Sequence, residues 1–348
     1  MTGIEELVSY AKEMNASDIH LICGLPPKVR KDGELIDLGN TRLGEADCRA
    51  YAYELAGERV KEIEEIGELD LADTICHNRC RIHIFKQQGV PSVALRILRS
   101  DVPVLSDLGL PEKVKELTTL HKGIVLVTGE TGSGKSTTLA GMLNEINHAY
   151  RKHIVTLEDP IEYVYTPDQC AINQREVGKD TVSFSEGLRA SLREDPDVIL
   201  IGEMRDRDTI ETAITAAETG HLVFATLHTG SAADSIDRMV QVFPGDVQTQ
   251  IRLQLSMVLE AVLSQQLIPA RREGRVLACE LMIVTDAIRN SIRSGKTTDI
   301  ANSVATSKAI GGQSMDQALL KLFKDRVITR ETAIHYAHNK RSMEEKAF

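Results

Sequence analysis

The stretch that decides the fold is Ile124-Val-Leu-Val127 followed by Gly129-Glu-Thr-Gly-Ser-Gly-Lys-Ser136, where an apolar run enters a glycine-rich loop. The loop fits the pattern G-x-x-x-x-G-K-[ST], and a helix is predicted to begin near Lys135. Glycines allow successive backbone N–H groups to turn inward around phosphate oxygens, and the N-terminus of the following helix adds favourable partial charge. A glycine-rich turn with a purely structural role would not need the Lys-Ser pair. The stretch therefore predicts a P-loop that binds a nucleoside triphosphate.

The residues of this loop are expected to hold different parts of the nucleotide. Lys135 should reach the β- and γ-phosphates, while the hydroxyl of Ser136 should ligate Mg²⁺. ATP and Mg²⁺ are therefore the predicted cofactors. The residues expected to hold ATP are Gly129, Thr131, Gly132, Ser133, Gly134, Lys135, Ser136 and Thr137.

A second apolar run ends in an acidic residue. Val198-Ile-Leu-Ile201 is followed by Gly202 and Glu203, and open α/β sheets bind ligands just beyond the C-terminal ends of their strands. Glu203 is therefore predicted to hold Mg²⁺, directly or through water. The alternative is an acid that merely caps a strand end, and the neighbouring P-loop disfavours it.

Two further strand ends carry polar side chains. Ile154–Leu157 runs into Glu158-Asp-Pro, whose proline stops the strand and keeps the acids at its tip. Glu158 suits a general base or a residue that orients water, and the sequence leaves open whether Glu158 or Glu203 is the base. Leu222–Ala225 leads to His228, which is expected to sense the γ-phosphate or relay a hydrogen bond. A lone histidine is more often structural, but several such strand ends at one edge favour a functional role.

The spacing of apolar runs predicts the architecture. Strands alternate with helices beyond residue 112, which is typical of a parallel α/β sheet. A helix-rich tail is predicted from about residue 286 to 348. Two prolines and a glycine predict a linker over residues 101–112, so the P-loop domain is expected at 113–348. The apolar runs are Ile124–Val127, Ile154–Leu157, Val198–Ile201, Leu222–Ala225 and Leu277–Val284.

Residues 1–100 read as a smaller α/β domain. Asp32-Gly33 between two extended runs predicts a β-hairpin, and residues 48–66 predict a helical stretch. The segment Thr74–Phe85 alternates as a strand, and two more strands are expected at Arg79–Lys86 and Pro91–Leu98. A first helix is predicted from the spacing of Ile4, Leu7, Val8 and Ala11.

Composition excludes several functional classes. The 348 residues include 41 Lys+Arg and 51 Asp+Glu, a formal charge of −10, which argues against a general binder of nucleic-acid backbone. Six Phe, seven Tyr and no Trp offer no aromatic platform for single strands, so no nucleic-acid partner is expected. No stretch approaches the roughly 18 apolar residues of a membrane helix, and the acidic N-terminus is unlike a signal peptide. We expect a soluble protein that is not exported by that route.

The cysteines predict reduced thiols. Six of them are scattered along a long chain without the spacing of a disulfide framework. Cys76 and Cys80, with His77 and His83, faintly resemble metal ligands. No second ligand pair follows at zinc spacing, so a metal site is disfavoured.

Taken in order, the four motifs resemble those of the secretion ATPase superfamily. They are the P-loop, Glu158-Asp-Pro-Ile-Glu162, Asp195–Asp206 and Thr219–Thr229, which correspond to the Walker A, Asp box, Walker B and His box motifs. Ala16–Leu21 and Arg30–Leu35 are similar to the N-terminal PAS-like domain of the family, so the resemblance spans nearly the whole chain. Ala287–Lys296 is similar to a signature of the branch that powers type IV pilus retraction. At 348 residues the chain is not expected to hold the additional N-terminal domain of the extension and type II secretion branches. Their tetracysteine motif is also missing, because only Cys170 and Cys279 lie beyond the P-loop.

The resemblance implies a fold, an assembly and a role. The fold class is a PAS-like N-terminal α/β domain plus a RecA-like P-loop ATPase domain with a helical C-terminal tail. The function implied is a hexameric, Mg²⁺-dependent ATPase motor that drives pilus disassembly and twitching motility. Arg81 and Arg96 would contact phosphates, with Arg79 as a nearby alternative. The partners implied are further copies of the chain, the inner-membrane platform protein and other pilus machinery. The protein would then be cytoplasmic and peripheral to the inner face of the membrane.

Alternatives remain at this stage. A closely related accessory retraction ATPase fits the same motifs. A nucleotide-binding regulator with little hydrolysis is a second alternative, although the full set of acids speaks against it. A small-molecule kinase would need a substrate lid that the sequence does not show. In Ala287–Lys296, Arg289, Arg293 and Lys296 would share one face of a helix, either as a solvated basic face or as an element needed for retraction.

Overall fold

The computed structural model describes residues 3–98 and 101–347, and the chain divides into two units. The first unit takes the chain as far as Asp101 together with Pro160–Val164, and the second takes the remainder from Val102 onward. Arg99 and Ser100 lie outside the described residues. The domain ends predicted at residues 1, 100 and 348 also lie outside the residues that the structure describes.

Helices and strands of the first unit form a helix-covered sheet. Their bounds are α1 Ile4–Glu13, β1 Asp18–Leu21, β2 Lys28–Lys31, β3 Glu34–Asp37, α2 Glu45–Ala56, α3 Val60–Glu65, β4 Glu68–Ile75, β5 Asn78–Gln87 and β6 Val90–Ile97. A 3₁₀ turn, Gly57–Arg59, separates α2 from α3. The predicted helical stretch at residues 48–66 is therefore two helices, because Gly57 adopts a positive φ of 55°.

Within the described residues, the sheet of the first unit has six strands in the order β3-β2-β1-β6-β5-β4, and every pairing is antiparallel. The hairpin predicted at Asp32-Gly33 is confirmed, since both residues have positive φ and join β2 to β3. The first helix is also confirmed. Its buried face consists of Ile4, Leu7, Val8 and Ala11.

One strand prediction in this unit is wrong. Thr74–Phe85 is not a single strand, because β4 ends at Ile75 and the chain reverses through Cys76 and His77 into β5. Both turn residues have positive φ, 48° and 62°, which is typical of a type I′ hairpin turn. Neither residue is a glycine, so the usual sequence signal of such a turn is missing. The described cysteines are free, and no group of three potential ligands that could hold a metal occurs among the described residues.

The second unit is larger. Its strands are β7 Gly123–Thr128, β8 His153–Glu158, β9 Ala171–Glu176, β10 Val198–Ile201, β11 Leu222–Leu227, β12 Leu259–Pro269 and β13 Arg275–Ile283. Its helices are α4 Lys113–Leu117, α5 Lys135–Ala149, α6 Phe184–Ser191, α7 Arg207–Glu218, α8 Ala232–Gln241, α9 Gln248–Val258, α10 Asp286–Ser294, α11 Thr298–Thr306, α12 Met315–Lys324, α13 Arg330–Tyr336 and α14 Lys340–Lys346. Two 3₁₀ turns lie at Leu105–Leu108 and Ser307–Ile310.

The sheet of the second unit runs in the order β13-β12-β7-β11-β10-β8-β9. All pairings from β12 to β9 are parallel, which confirms the predicted parallel α/β architecture. The run Leu277–Val284 is the exception, because β13 pairs antiparallel with β12 through a short loop. β12 itself was not predicted, since α9 passes into it without an intervening loop residue.

The predicted helix-rich tail is confirmed. Helices α10 to α14 follow β13, and the later ones bury an apolar cluster against the end strands of the sheet. Ile268 of β12 and Ala278 of β13 contribute to that cluster with Met315 and Leu319 of α12. Among the described residues, no helix is long and apolar enough to cross a membrane.

Candidate nucleotide-binding site

Four neighbouring strands end at the same edge of the second sheet. Strands β7, β11, β10 and β8 are adjacent and parallel, with Ile201 opposite both Leu157 and Ala225. Because parallel strands present their carboxyl ends together, the segments that follow them converge on one edge. Those segments contain the P-loop, His228, Glu203 and Glu158, so the structure gathers the predicted sites of this unit there.

The P-loop is shaped by its first glycine. Gly129 is buried, has φ +142°, and lies so close to neighbouring atoms that no side chain fits. A Cβ atom at this position would lie 2.4 Å from the carbonyl oxygen of Gln265 and 2.5 Å from Oγ of Ser133. The loop then passes the exposed residues Thr131 and Gly132 and enters α5 at Lys135, where the helix was predicted to begin.

Lys135 is folded into the loop. The residue is 9% exposed, and its Nζ donates hydrogen bonds to the carbonyl oxygens of Gly129 at 2.8 Å and Glu130 at 3.0 Å. These bonds hold a positive charge at the N-terminus of α5, where the helix dipole also favours anions. The charge and the dipole together make this loop suited to phosphate.

The hydroxyl group of Ser133 indicates that phosphate fits the loop. Its Oγ is buried and has no hydrogen-bond partner among the described residues. Buried hydroxyl groups are normally hydrogen-bonded, so an orphaned one at the centre of an anion-binding loop is best explained by a ligand oxygen. The loop therefore fits the phosphates of a nucleotide.

Strand β12 supports the P-loop from one side. The hydroxyl of Thr128, the last residue of β7, donates to Oγ of Ser264 at 2.9 Å, and both groups are buried. Gln265 donates from Nε2 to Oγ1 of Thr138 on α5 at 2.7 Å. Sequence reasoning missed these residues. The signal was the run of polar residues at 264–266, which the sequence shows merely as an interruption of an apolar stretch.

Glu203 lies just past β10 and is held by two basic residues. Its Oε2 forms an ion pair with Nε of Arg205 at 2.7 Å and lies 3.4 Å from Nε2 of His228. The Glu203 side chain is 16% exposed, whereas those of Arg205 and His228 are 73% and 44% exposed. The structure therefore brings together the predicted Mg²⁺ acid and the predicted histidine, which come from neighbouring strands.

The backbone around Glu203 is fixed by the adjacent strands. The N–H of Gly202 donates to the carbonyl oxygen of Leu157 at 2.8 Å, and the N–H of Met204 donates to that of Thr226 at 3.1 Å. The hydroxyl of Thr226 also donates to the carbonyl oxygen of Gly202. Glu203 is thus presented from a segment anchored on both sides, which suits a residue that must hold a fixed position.

Glu158 ends β8 and has its own hydrogen-bond donors. Its Oε1 accepts from Oγ1 of Thr156 at 2.7 Å and from Nε2 of Gln174 on β9 at 3.1 Å. Two donors therefore fix the orientation of the carboxylate. Sequence reasoning did not identify these donors. Thr156 lies two residues before Glu158 on the same strand, and Gln174 comes from the neighbouring strand β9.

The predicted arginines lie on the sheet of the first unit. Arg81 of β5 stands opposite Arg96 of β6, and Arg96 in turn stands opposite Asp18 of β1. Arg96 donates from Nε to Oδ1 of Asp18 at 2.7 Å. Burial acts to raise the pKa of Asp18, but the hydrogen bonds from Ser17 and Arg96 bring that pKa below its ordinary value. The roles predicted for Arg81 and Arg96 at the nucleotide stay predictions.

Arg79, the alternative to those arginines, is engaged within the same unit. Its Nε donates to the carbonyl oxygen of Ile161 at 2.8 Å. Ile161 belongs to Pro160–Val164, the short segment of the following chain that groups with the first unit. Arg79 thus ties this segment to β5.

Mg²⁺ fits the oxygen donors at the sheet edge. Ser136 is exposed on the first turn of α5, and Glu203 offers a carboxylate, so both supply the hard oxygen ligands that Mg²⁺ prefers. Such sites take few ligands from protein and complete the shell with phosphates and water.

The basic segment Ala287–Lys296 differs from its prediction. Helix α10 ends at Ser294, and Gly295 adopts a left-handed conformation, so Lys296 lies beyond the helix and does not share its face. Arg289 is not a solvated residue either. Its Nη1 donates to carbonyl oxygens at the end of α9 and the start of β12, those of Ser256 at 2.7 Å, Met257 at 3.2 Å and Leu259 at 3.2 Å. Its Nη2 contacts Glu260 at 3.1 Å, so Arg289 closes the C-terminus of α9.

Comparisons with known proteins agree with this geometry. Residues 79–333 match the model of the Type II/IV secretion system protein family. The type IV pilus retraction ATPase PilT of Pseudomonas aeruginosa is 45% identical over 332 residues, covering 95% of this chain and 96% of that protein. The type IV pilus ATPase PilU of the same organism is 35% identical and covers 96% of this chain and 88% of its own length.

A solved structure extends the likeness to three dimensions. The crystal structure of the pilus retraction motor PilT with bound ADP has a TM-score of 0.93 to this chain. It is 45% identical, and the match covers 99% of this chain and 100% of that one. The predicted fold class, a PAS-like N-terminal domain followed by a RecA-like ATPase domain, is confirmed by this match. With the family model covering most of its length and every motif of the sheet edge in place, the chain belongs to the Type II/IV secretion system protein family.

Proposed function

We propose that this chain is a Mg²⁺-dependent ATPase that powers the retraction of type IV pili, and hence twitching motility. The observation that carries the ATPase activity is the meeting of Glu203 and His228 at the sheet edge that also bears the P-loop lysine. Retraction rather than another task is supported by the 45% identity to PilT over nearly the full length of both proteins. The lower identity to PilU, 35%, disfavours the accessory alternative.

The proposed roles follow from the positions of the side chains. Lys135 and the backbone of residues 129–136 bind the phosphates, and Ser133 donates its hydroxyl to a phosphate oxygen. Ser136 and Glu203 hold Mg²⁺, which neutralises charge on the phosphates when it is bound. His228 senses the occupied site through its contact with Glu203.

Two carboxylates compete for the role of general base, and one experiment separates them. A base can be replaced by its amide without changing the Mg²⁺ requirement, whereas loss of a metal ligand raises the Mg²⁺ concentration needed for half-maximal ATP binding. Glu158→Gln and Glu203→Gln should therefore be compared in Mg²⁺ titrations of ATP binding and of turnover. The variant that binds normally but does not hydrolyse identifies the base.

The assembly, partners and location are part of the proposal. The resemblance to secretion ATPases supports a homohexameric ring in which the platform protein of the inner membrane and other pilus components are the partners. The protein would then work in the cytoplasm, peripheral to the membrane. Hydrolysis per chain should rise with protein concentration and then saturate, because a ring requires neighbouring subunits.

The test of the proposed function is turnover followed by complementation. Purified protein should hydrolyse ATP with Mg²⁺. At saturating Mg²⁺, Glu203→Gln should still bind ATP but lose at least about 100-fold in turnover, as when one transition-state interaction is removed. Normal turnover in Glu203→Gln would remove this residue from the mechanism. The gene should restore twitching to a piliated strain that lacks its retraction ATPase. Complementation that requires the resident retraction ATPase would instead identify the accessory class.

A further inference from the structure

A buried glutamate in the second unit takes no part in the site described above. Glu280 lies in the middle of β13 and is 6% exposed. A buried carboxylate is costly unless hydrogen-bond donors surround it, so its partners indicate why it is there. Its Oε1 accepts the backbone N–H of Ala232, the first residue of α8, at 2.9 Å.

The same carboxylate interacts with a second helix. The backbone N–H of Met315, the first residue of α12, acts on it electrostatically and lowers its pKa. The N-termini of α8 and α12 therefore meet at one negative charge, and both helix dipoles favour that charge. Serine side chains cap both helices as well, Ser231 for α8 and Ser314 for α12.

The histidine of the site lies just before helix α8. His228 precedes Ala232 by four residues, and the segment between them is tied to the helix. Thr229 is hydrogen-bonded to Ser235 at 2.7 Å between their hydroxyls, and Ser235 donates to the carbonyl oxygen of Ser231 at 2.7 Å. Because these bonds connect the segment to the first turns of α8, the position of that helix end sets the position of His228.

Helix α12 carries the C-terminal helices. Just before it, Gln313 exchanges backbone hydrogen bonds with Leu281, the neighbour of Glu280 on β13. Within its first turn, Asp316 accepts the backbone N–H groups of His338 at 2.8 Å and Asn339 at 3.1 Å. The region from residue 313 to 339 is thus anchored around β13 at the point where Glu280 lies.

We propose that Glu280 is a positioning residue for ATP hydrolysis, which holds the N-terminus of α8, and through it His228, in register with the C-terminal helices. The proposal rests on the proposed ATPase function and deepens it, since it assigns a residue that acts on the site through His228. Glu280 is 51 residues or more from every motif of the sheet edge along the chain. Glu280 is therefore connected to these motifs only through the folded sheet and not through the sequence.

The ionised carboxylate is what the arrangement requires. The carboxylate presents acceptor oxygens to the N–H of Ala232 and to the N-terminus of α12, whereas an amide could turn its own N–H groups toward one of these helix ends. Burial raises the pKa of Glu280, and the charges that act on it are those of Asp234 on α8 and His338 after α13. Asp316 lies one residue beyond Met315 and adds a further negative charge on α12. Loss of the charge at low pH should therefore loosen both helix ends.

A double-mutant cycle tests the proposal. ATP turnover is measured for the full-length chain, for Glu280→Gln, for His228→Ala and for the double variant. We expect Glu280→Gln to lower kcat about tenfold, which is about 1.4 kcal/mol, with an unchanged KM for ATP. In the His228→Ala background the same change should have little further effect, because the residue through which it acts is gone.

The control is a variant that loosens the contacts of α12 without touching α8. Asp316→Asn weakens the acceptor that α12 offers to the N–H groups of His338 and Asn339, so it should lower the midpoint of thermal unfolding as Glu280→Gln does, but leave kcat unchanged. If Glu280→Gln is poorly folded, Glu280→Asp provides a second variant that keeps the charge and should retain more turnover than the amide.

The possible results distinguish a failure of the proposed ATPase function from a failure of the positioning role of Glu280. No turnover by the unmodified chain would refute the proposed function, whatever the variants do. Normal turnover by Glu280→Gln, equal losses in both backgrounds, or no effect of His228→Ala would each overturn the positioning role while leaving the ATPase function intact. A loss of kcat by Asp316→Asn equal to that of Glu280→Gln would also overturn it, since general loosening of α12 would then suffice.

Discussion

Substitution of Gly129 by alanine tests the P-loop geometry most directly. Its backbone has φ +142°, a conformation that residues with side chains rarely adopt. An added Cβ would also meet the carbonyl oxygen of Gln265 at 2.4 Å. That oxygen belongs to the backbone of β12 and cannot rotate away, so the loop itself must move.

The expected magnitude follows from two costs. The backbone conformation costs about 1–3 kcal/mol for a residue other than glycine. The steric conflict adds about 1–3 kcal/mol, as in an overpacked core. If the loop escapes these costs by leaving its phosphate-binding conformation, nucleotide binding must restore that conformation. A minimum of about 2 kcal/mol then weakens the affinity for ATP at least about 30-fold.

Gly132→Ala is the matched control. Gly132 has φ +80°, but no atom of the described residues lies within 4 Å of its added Cβ. This variant therefore bears the backbone cost alone, about 1–2 kcal/mol, or roughly tenfold in affinity. Equilibrium titration with a fluorescent ATP analogue in the presence of Mg²⁺ measures both, with thermal melts to verify folding. Equal affinities for the two variants, or an unchanged affinity for Gly129→Ala, would refute the reasoning from close approach.

Three other predictions concern stability and reactivity. Arg289→Ala leaves carbonyl groups at the end of α9 without their donor, so it should lower the free energy of unfolding by about 2 kcal/mol and the midpoint of thermal unfolding by roughly 5 °C. The control is Arg293→Ala, which removes an exposed side chain and should change the midpoint little. Equal effects of the two variants would contradict the capping role. The pKa of Asp18 is lowered in the fold, so its ionised form stabilises the protein above about pH 4, and this stabilisation is lost as pH falls through the folded pKa. Asp18→Asn should therefore reduce the loss of thermal stability that acid pH causes. An unchanged loss would count against the ion pair. Burial raises the pKa of Cys279 to about 12, so a thiol-specific disulfide reagent at pH 8 should modify the exposed Cys76 first and should modify Cys279 only when the protein unfolds. Rapid modification of Cys279 in the folded protein would show that β13 opens.

Local patterns were sufficient for the elements that carry the chemistry. The P-loop stretch predicted a strand, a loop and a helix starting at Lys135, because glycines, an apolar run and a helix start all lie within fifteen residues of each other. The acids at 158 and 203 were found for the same reason, since Glu158 is the last residue of its strand and Glu203 lies two residues beyond its own. Their convergence needed one general rule, that parallel strands end at a common edge.

Contacts between distant segments were not predictable in this way. Thr128 and Ser264 are 136 residues apart in the chain, and neither residue type reveals the other. β12 was missed because α9 runs straight into it and the apolar pattern does not break where the structure changes. The face expected for Lys296 was wrong because Gly295 ends the helix before it, a stop that a glycine just beyond a helix commonly provides.

The position of β12 also bears on how the protein is made. β7 lies between β11 and β12, which are synthesised about 95 and 135 residues after it. Until the ribosome has passed residue 269, one edge of β7 is an unpaired row of backbone groups, and Gly129 lacks the strand that it packs against. A nascent chain therefore acquires its nucleotide pocket late, after nearly four-fifths of its residues have been added. Such long-range closure is slow compared with local folding, so the emerging sheet is most exposed to aggregation during this interval.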